Sequence, residues 1–376
     1  MDLSSETRLR GGARGRRGGV DVERAAHPAR GVLDWLRRNL FSSIGNTVLT
    51  LAVLAIFGLS LSPLYHWVIA DATISGSTRA ACIGDGACWT FIKVRLPTFF
   101  YGHYPDAERW RVHLALALLV LFGFPVVRER MWRRGVFVLL LLTVFPVLGG
   151  VLLVGGVMGL REVDTTLWGG LMLNVVISFL AVEASLLLGI LLALGRRSVL
   201  PAVRTFSVGY IELWRGMPLL IVVITSATLV PLFLPEGASV DRLIRFIVAF
   251  SLFESAYMAE AIRGGLQGVP TGQIEAAQSI GLRWWQVRIL IELPQALRFA
   301  FPSIINTSMD LFKDTTLVQF IGLFDLLSAV VAASKDTAWL GYYKEGYVFA
   351  MALFFVCCFA MSLQASRLER RLNRHR

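Results

Sequence analysis

Residues 135–160 read GVFVLLLLTVFPVLGGVLLVGGVMGL and contain no Asp, Glu, Lys or Arg. A helix needs about 20 apolar residues to cross a bilayer, because it rises about 1.5 Å per residue and the hydrocarbon layer is about 30 Å thick. The stretch is therefore predicted to form a membrane-spanning helix. The chain of 376 residues is 55% hydrophobic and 17% charged. Soluble domains contain about 25% charged residues, so a disordered, fibrous or ordinary cytosolic protein is excluded.

Other apolar runs accompany this one, and the sequence predicts an all-α polytopic membrane protein with about eight transmembrane helices. The predicted spans cover residues 41–70, 112–127, 135–160, 165–195, 216–235, 246–262, 299–333 and 346–366. The sixth and seventh of these runs are the least uniform, because charged residues interrupt them.

Arginine clusters indicate the side of the membrane on which each loop lies, since cytoplasmic loops hold the excess of basic residues. The net charge is +11. If the chain crosses the membrane eight times, the clusters in residues 1–39, 128–134, 196–204, 263–298 and 367–376 all fall on one side. Both termini are therefore predicted to be cytoplasmic. The arginines of residues 8–17 are interpreted as an orientation signal rather than a nucleic-acid-binding arm, so no nucleic-acid partner is expected.

This pattern divides the chain into three parts. Residues 1–40 form a basic cytoplasmic segment, residues 41–160 hold three helices with an external loop at 71–108, and residues 165–372 hold the other five. The external loop contains Cys82 and Cys88. In an oxidising periplasm a disulfide between them is plausible, with two free thiols as the alternative. His103 alone does not make a metal site, and no metal is predicted.

The loop between the sixth and seventh spans, residues 263–298, is long and amphipathic. The residues Pro270-Thr271-Gly272 mark a turn and a helix entry, and residues 273–280 are good helix formers. Gly281 supplies a C-cap or a sharp bend. A second short helix is expected over residues 284–293, ended by Pro294. The two short helices together have an apolar side, which must be covered either by the ends of the neighbouring spans or by a partner protein.

The loop also carries a spaced signature. Glu275-Ala276-Ala277 is followed after three residues by Gly281, and Leu293-Pro294 completes the pattern. This arrangement resembles the coupling loop of ABC importer permeases, and we call residues 263–298 the coupling loop. Residues 212–219, 256–260 and 312–317 resemble the polar amino-acid (histidine/glutamine-type) branch of that family. The three N-terminal helices resemble the longer permease subunit of bacterial general L-amino-acid ABC transporters.

The resemblance implies a type I ABC importer permease core of five helices in the bacterial inner membrane, preceded by three added helices. It implies that ATP is hydrolysed by cytoplasmic ATPase subunits, and this chain contains no phosphate-loop motif and binds no cofactor of its own. The other implied partners are a second homologous permease subunit, a periplasmic amino-acid-binding protein and membrane lipid. It assigns the coupling role to Gly272, Glu275, Ala276, Ala277, Gly281, Leu293 and Pro294.

Charged residues inside spans usually face a bundle interior or a cavity, because burying them in lipid is costly. Asp310, Lys313 and Asp314 share one helix face by their spacing. The candidates for a substrate pathway or gate are Glu254, Tyr257, Glu260, Asp310, Lys313, Asp314 and Thr315. The alternative is internal salt bridges, which we favour for the pairs Glu212–Arg215 and Glu260–Arg263.

A second function class remains open at this point. An ion-gradient-driven secondary amino-acid transporter would use the same charges as a proton or sodium relay. Such carriers often show inverted repeats with broken helices. No such symmetry is evident between the two halves of the sequence, and the coupling loop would have no role. The five histidines are scattered, which argues against a membrane enzyme.

Overall fold

Helices build almost all of the computed structural model, which describes residues 28–127, 134–235, 237 and 239–373. The arginines expected to orient the chain in residues 1–27, 128–133 and 374–376 lie outside that part. The longer helices are α1 (Pro28–Asn39), α2 (Ile44–Tyr65), α3 (Trp89–Tyr101), α4 (Arg109–Val127), α5 (Arg134–Val154), α6 (Gly170–Arg196), α7 (Pro201–Gly216), α8 (Leu219–Thr228), α9 (Arg242–Gln267) and α10 (Thr271–Ser279). They continue with α11 (Trp284–Gln286), α12 (Leu293–Asp314), α13 (Leu326–Lys335) and α14 (Tyr343–Asn373), and a two-residue strand β1 (Phe324–Asp325) precedes α13.

Within the described residues, five helical stretches are long and apolar enough to cross a membrane. They are Ile44–Ala70, Asp106–Val126, Gly135–Val154, Gly170–Arg196 and Tyr343–Arg367. The bent pair α7 and α8 makes a sixth if it is counted as one span. Helices α9 and α12 have 26 and 22 residues and contain the charges that interrupt the sixth and seventh predicted runs, apart from Asp325, which lies in β1. The all-α membrane fold is confirmed, and a total of eight spans is consistent with these helices.

The fifth predicted span, residues 216–235, is wrong as a continuous helix. Met217 and Pro218 take extended backbone conformations between α7 and α8, and the two helix axes differ by 98°. A proline disfavours the helical conformation of the residue before it, which accounts for the break at Met217. Helix α8 has only 10 residues. It therefore rises only about 15 Å, half of the hydrocarbon thickness.

The seventh predicted run, residues 299–333, is also interrupted. After Asp314 the chain forms a 3-10 turn, Thr315–Ile321, and then reverses at Gly322, whose φ of 79° favours glycine. The expectation that Pro294 ends a short helix is wrong as well. Pro294 lies in the first turn of α12, and the π-helical segment Val287–Glu292 runs directly into that helix, so the chain stays helical through Pro294.

The described residues up to Ala70 and those from Asp71 onward form separate units, and each is described by itself. In the first unit, Ser43 caps α2 by accepting a hydrogen bond from the Asn46 amide. Helix α2 is apolar on all of its faces, which is typical of a helix in lipid.

In the second unit, α9 is the central helix and packs against α6, α8 and α12. Two glycines allow the closest approaches. A Cβ atom on Gly189 of α6 would lie 2.9 Å from the Met258 Cβ atom, and one on Gly265 of α9 would lie 2.2 Å from the Ala296 carbonyl oxygen. Helices α6, α9 and α12 are therefore closely packed against one another.

A second cluster covers the end of the unit opposite the coupling loop. Helix α3, which the sequence reading did not predict, buries Phe91 and Phe99 against α13 and α14 together with Trp339. The backbone N–H group of Cys88 donates to Glu345 Oε1 at 3.3 Å. The structure joins Cys82 and Cys88 in a disulfide, with 5.7 Å between their Cα atoms. This part of the chain is a folded cap rather than an open loop.

Candidate functional site

A cavity of about 540 Å³ lies where the break between α7 and α8 faces α9 and α12. Its lining residues are Met217, Pro218 and Leu219 from the break, Phe253, Glu254 and Tyr257 from α9, and Thr307, Asp310, Lys313 and Asp314 from α12. The extended residues at the break place backbone rather than a helix on this side of the cavity. A broken helix at membrane depth is tolerated where it lines such a cavity.

The cavity contains more acidic than basic side chains. Lys313 Nζ lies 2.7 Å from Asp310 Oδ1, and both side chains are exposed. Glu254 is only 4% exposed, and Asp314 is half-buried. Within the described residues neither Glu254 nor Asp314 forms an ion pair. The carboxyl groups of Glu254 and Asp314 therefore have no ion-pair partner in the described chain, and their oxygens are available to accept hydrogen bonds from a cationic group of a bound molecule.

The structure brings together five of the seven predicted pathway residues: Glu254, Tyr257, Asp310, Lys313 and Asp314. It does not place Thr315 in the cavity wall. Thr315 is fully buried, and its Oγ1 accepts a hydrogen bond from Asn174 Nδ2 at 2.8 Å. Asn174 Oδ1 in turn accepts from the Leu326 amide at 3.0 Å, so Thr315 helps to join α6 to the start of α13.

Glu260 lies one helical turn beyond Tyr257 and belongs to a separate group of charges. We call Arg196, Glu212, Arg215, Glu260 and Arg263 the Glu260 cluster. Glu260 pairs with Arg196 and Arg263, each at 2.7 Å, and lies 3.9 Å from Arg215. Glu212 lies 3.6 Å from Arg196, and no ion pair joins it to Arg215 in the described chain. The favoured Glu260–Arg263 pair is present, whereas the favoured Glu212–Arg215 pair is replaced by pairs between helices.

The coupling loop contains α10 and, after a bend at Gly281, a second helical segment, residues 284–292, which continues directly into α12. Helix α10 ends at Ser279, and Gly281 has a φ of 84°, a conformation that β-branched and bulky residues rarely adopt. Of the residues that the resemblance assigned to coupling, Ala277 is buried and Leu293 is half-buried. The exposed ones are Gly272, Glu275, Ala276, Gly281 and Pro294.

The apolar side of the coupling loop is only partly covered by its own chain. Ile280 is 78% exposed, and Trp284 and Trp285 are about half exposed. Ile289 and Leu290 are exposed as well. Large apolar side chains that are exposed in a loop outside the predicted spans are candidates for an interaction surface. We call these five residues the apolar knob.

Glu292 anchors the coupling loop, and the sequence reading missed it. Its side chain is fully buried and forms ion pairs with Arg197 and Arg288. The i, i+4 spacing of Arg288 and Glu292 was a readable signal. The partner from α6, Arg197, is distant in the sequence and could not be identified from spacing. Among the described residues no cluster of His, Cys, Asp and Glu could hold a metal ion.

Comparison with known proteins gives consistent matches. Residues 185–374 match the family model described as "Binding-protein-dependent transport system inner membrane component". The chain is 45% identical over 349 residues to the inner membrane amino-acid ABC transporter permease protein YhdY of Escherichia coli (strain K12), covering 93% of this chain and 95% of that protein.

A second long relative and a solved structure are also similar to this chain. The chain is 36% identical over 414 residues to the glutamate/glutamine/aspartate/asparagine transport system permease protein BztC of Rhodobacter capsulatus, covering 92% of this chain and 94% of that protein. A solved structure described as an amino acid ABC transporter with histidines is 31% identical, with a TM-score of 0.48. The match covers 54% of this chain and 92% of the solved chain.

Proposed function

The chain belongs to the family of binding-protein-dependent transport system inner membrane components, and from this membership we propose that it carries amino acids across the membrane. It is a multi-pass inner membrane protein and a permease subunit of an ATP-driven importer. The relatives are ABC permeases, which disfavours the ion-gradient-driven alternative. Amino acids are the proposed substrates because the printed names of both long relatives specify them.

The observation that carries the mechanism is the exposed apolar knob on the coupling loop. We assign it to docking in a groove of a separate ATPase subunit, the mode in which a helix inserts its apolar side chains into a partner. Exposed Ala276 beside it permits close approach, because its side chain is small. In this proposal the chain binds no nucleotide, and ATP hydrolysis takes place in the partner.

The acidic cavity is the proposed substrate pathway. An amino acid carries an ammonium group, for which Glu254 and Asp314 are the available acceptors. Lys313 is the cation of the cavity wall, and it binds the substrate carboxylate in this proposal by exchanging its present partner Asp310 for it. A second homologous permease completes the pathway, a periplasmic binding protein delivers the substrate, and lipid surrounds the spans. Both termini lie in the cytoplasm in this arrangement, as the arginine clusters indicate.

The docking role is tested by polar substitutions in the apolar knob. We expect Trp285→Ser and Leu290→Ser to reduce copurification of the ATPase subunit with the membrane-inserted permease. Val199→Ser is the matched control, because Val199 is 80% exposed in the turn between α6 and α7 but lies outside the knob. If both knob variants retain as much ATPase as the control does, the docking assignment is wrong.

A further inference from the structure

Two consecutive arginines at the end of α6 connect the region of the cavity with the coupling loop. Arg196 is the last residue of α6, and Arg197 is its C-cap. The Arg196 guanidinium donates to Glu260 Oε1 at 2.7 Å. Arg197 pairs with the buried Glu292 of the coupling loop. Adjacent residues therefore hold two carboxylates that belong to different parts of the molecule.

The contact made by Arg196 leads to the cavity. Glu260 follows Tyr257 by three residues on α9, and Tyr257 lines the cavity. Arg215 contacts both Tyr257 and Glu260. Its guanidinium carbon lies 5.9 Å from the centroid of the Tyr257 ring, and its Nη1 atom lies 3.9 Å from Glu260 Oε2. A change in the ion pairs of the Glu260 cluster can therefore displace Arg215 and, through it, the Tyr257 ring in the cavity wall.

The contact made by Arg197 leads to the coupling loop. Glu292 is fully buried, and its partners are Arg197 and Arg288. A buried carboxylate keeps its cationic partners because leaving it unpaired is strongly unfavourable. Arg197 Nη1 also lies 3.4 Å from the carbonyl oxygen of Leu266, near the end of α9. Displacement of Glu292 must therefore move Arg197 or break the pair.

We infer that Arg196 and Arg197 are positioning residues that transmit displacement of the coupling loop to the cavity. The inference rests on the proposed function, since an ATPase must move the loop. When Glu292 moves, Arg197 follows it, and Arg196, the preceding residue, changes its pairing with Glu260. Arg215 then shifts relative to Tyr257, and the cavity wall changes. The close packing of α6 on α9 at Gly189 keeps the rest of α6 fixed, so the change is confined to its end.

The test uses the complete transporter, with the ATPase, the second permease and the binding protein, in proteoliposomes. Uptake per ATP hydrolysed is measured for Arg197→Gln, Glu292→Gln, Arg196→Gln, Glu260→Gln and their pairwise combinations. We expect each single variant to lower this ratio about fivefold or more, the lower end of a typical coupling free energy. Arg197→Lys keeps the charge and is expected to recover part of the ratio. Arg204→Gln is the control, since Arg204 is exposed and forms no ion pair in the described chain.

The decisive result is the combination of Arg196→Gln with Glu292→Gln, two residues that do not pair with each other. A continuous relay predicts that the double variant is no worse than either single variant. Multiplied losses, or losses of uptake that only follow lower protein abundance at an unchanged ratio, would overturn the inference. A wild-type complex that shows no ATP-driven amino-acid uptake would instead contradict the proposed function.

Discussion

Asp314 is the residue that we expect to determine how well cationic amino acids are transported relative to neutral ones. Asp310 is already paired with Lys313, which leaves Glu254 and Asp314 as the unpaired carboxylates of the cavity. A neutral amino acid has one ammonium group, whereas a cationic amino acid has a second cationic group and requires both acceptors. A cationic amino acid therefore needs both Glu254 and Asp314, whereas a neutral one needs only one of them.

We therefore predict that Asp314→Asn lowers uptake of cationic amino acids more than that of neutral ones. A hydrogen bond to a charged group contributes about 1.5–3 kcal/mol, which corresponds to roughly tenfold or more in uptake at low substrate concentration. Competitive uptake of labelled lysine and glutamine measures the difference. Asp85→Asn, in the exposed part of the cap, is the control. Equal loss for all substrates with normal folding would assign the cavity charges to gating or structure.

Cys82 and Cys88 are expected to be linked in the purified protein. Closing a loop of this length stabilises a folded segment by roughly 2 kcal/mol. We predict that Cys82→Ser with Cys88→Ser speeds trypsin cleavage at Arg79, whose guanidinium lies over the Tyr342 ring. Replacing the free Cys357 and Cys358 by Ser provides the control and should not change cleavage. Alkylation of Cys82 and Cys88 without prior reduction contradicts the disulfide.

Helices with an uninterrupted apolar sequence could be predicted, and helices interrupted by turn chemistry could not. The runs that became α2, α5, α6 and α14 were identified because they are long and apolar with few charged residues, and the prolines inside α2 and α5 do not end those helices. The break before α8 depends on two residues, Met217 and Pro218, and the hydropathy of a 20-residue window does not register it. Helix α3 was missed because Lys93, Arg95 and Pro97 interrupt its apolar pattern, although Arg95 pairs with Asp336.

Among the site residues, those that share one helix could be predicted from the sequence, and those that meet across different helices could not. Residues on one helix face, such as Asp310, Lys313 and Asp314, follow from spacing alone. The pairs Arg196–Glu260 and Arg197–Glu292 join residues far apart in the sequence, and only the packing of α6 against α9 and the coupling loop reveals them.

Gly281 is expected to lie in the exposed surface at which the coupling loop meets the ATPase. Its φ of 84° is tolerated by Asn and Asp better than by other non-glycine residues, and no atom lies within 4 Å of an added Cβ. We predict that Gly281→Asp uncouples, with uptake reduced about tenfold or more, because a charge enters a docking surface without a partner. Gly281→Asn, of equal size and uncharged, should retain most uptake. Equal activity of the two variants, measured at equal abundance in the membrane, would contradict this role.

In the proposed mechanism, the described residues from 71 onward combine a cap, a transport part and a coupling loop that a separate ATPase subunit covers. None of these parts supplies energy by itself in the proposed mechanism. The cavity provides acceptors for a substrate, the coupling loop provides an apolar surface, and the arginines at the end of α6 lie between them. In the proposed mechanism the energy source is therefore external to this chain.

The most direct measurement is amino-acid uptake by proteoliposomes that contain this permease, its partner permease, the ATPase subunits and the binding protein. Uptake is followed with and without ATP on the ATPase side, and with and without a protonophore and a sodium ionophore. The account predicts uptake that requires both ATP and the ATPase subunits, and that continues after the ion gradients are dissipated. Uptake that proceeds without the ATPase and stops when the gradients collapse would contradict it.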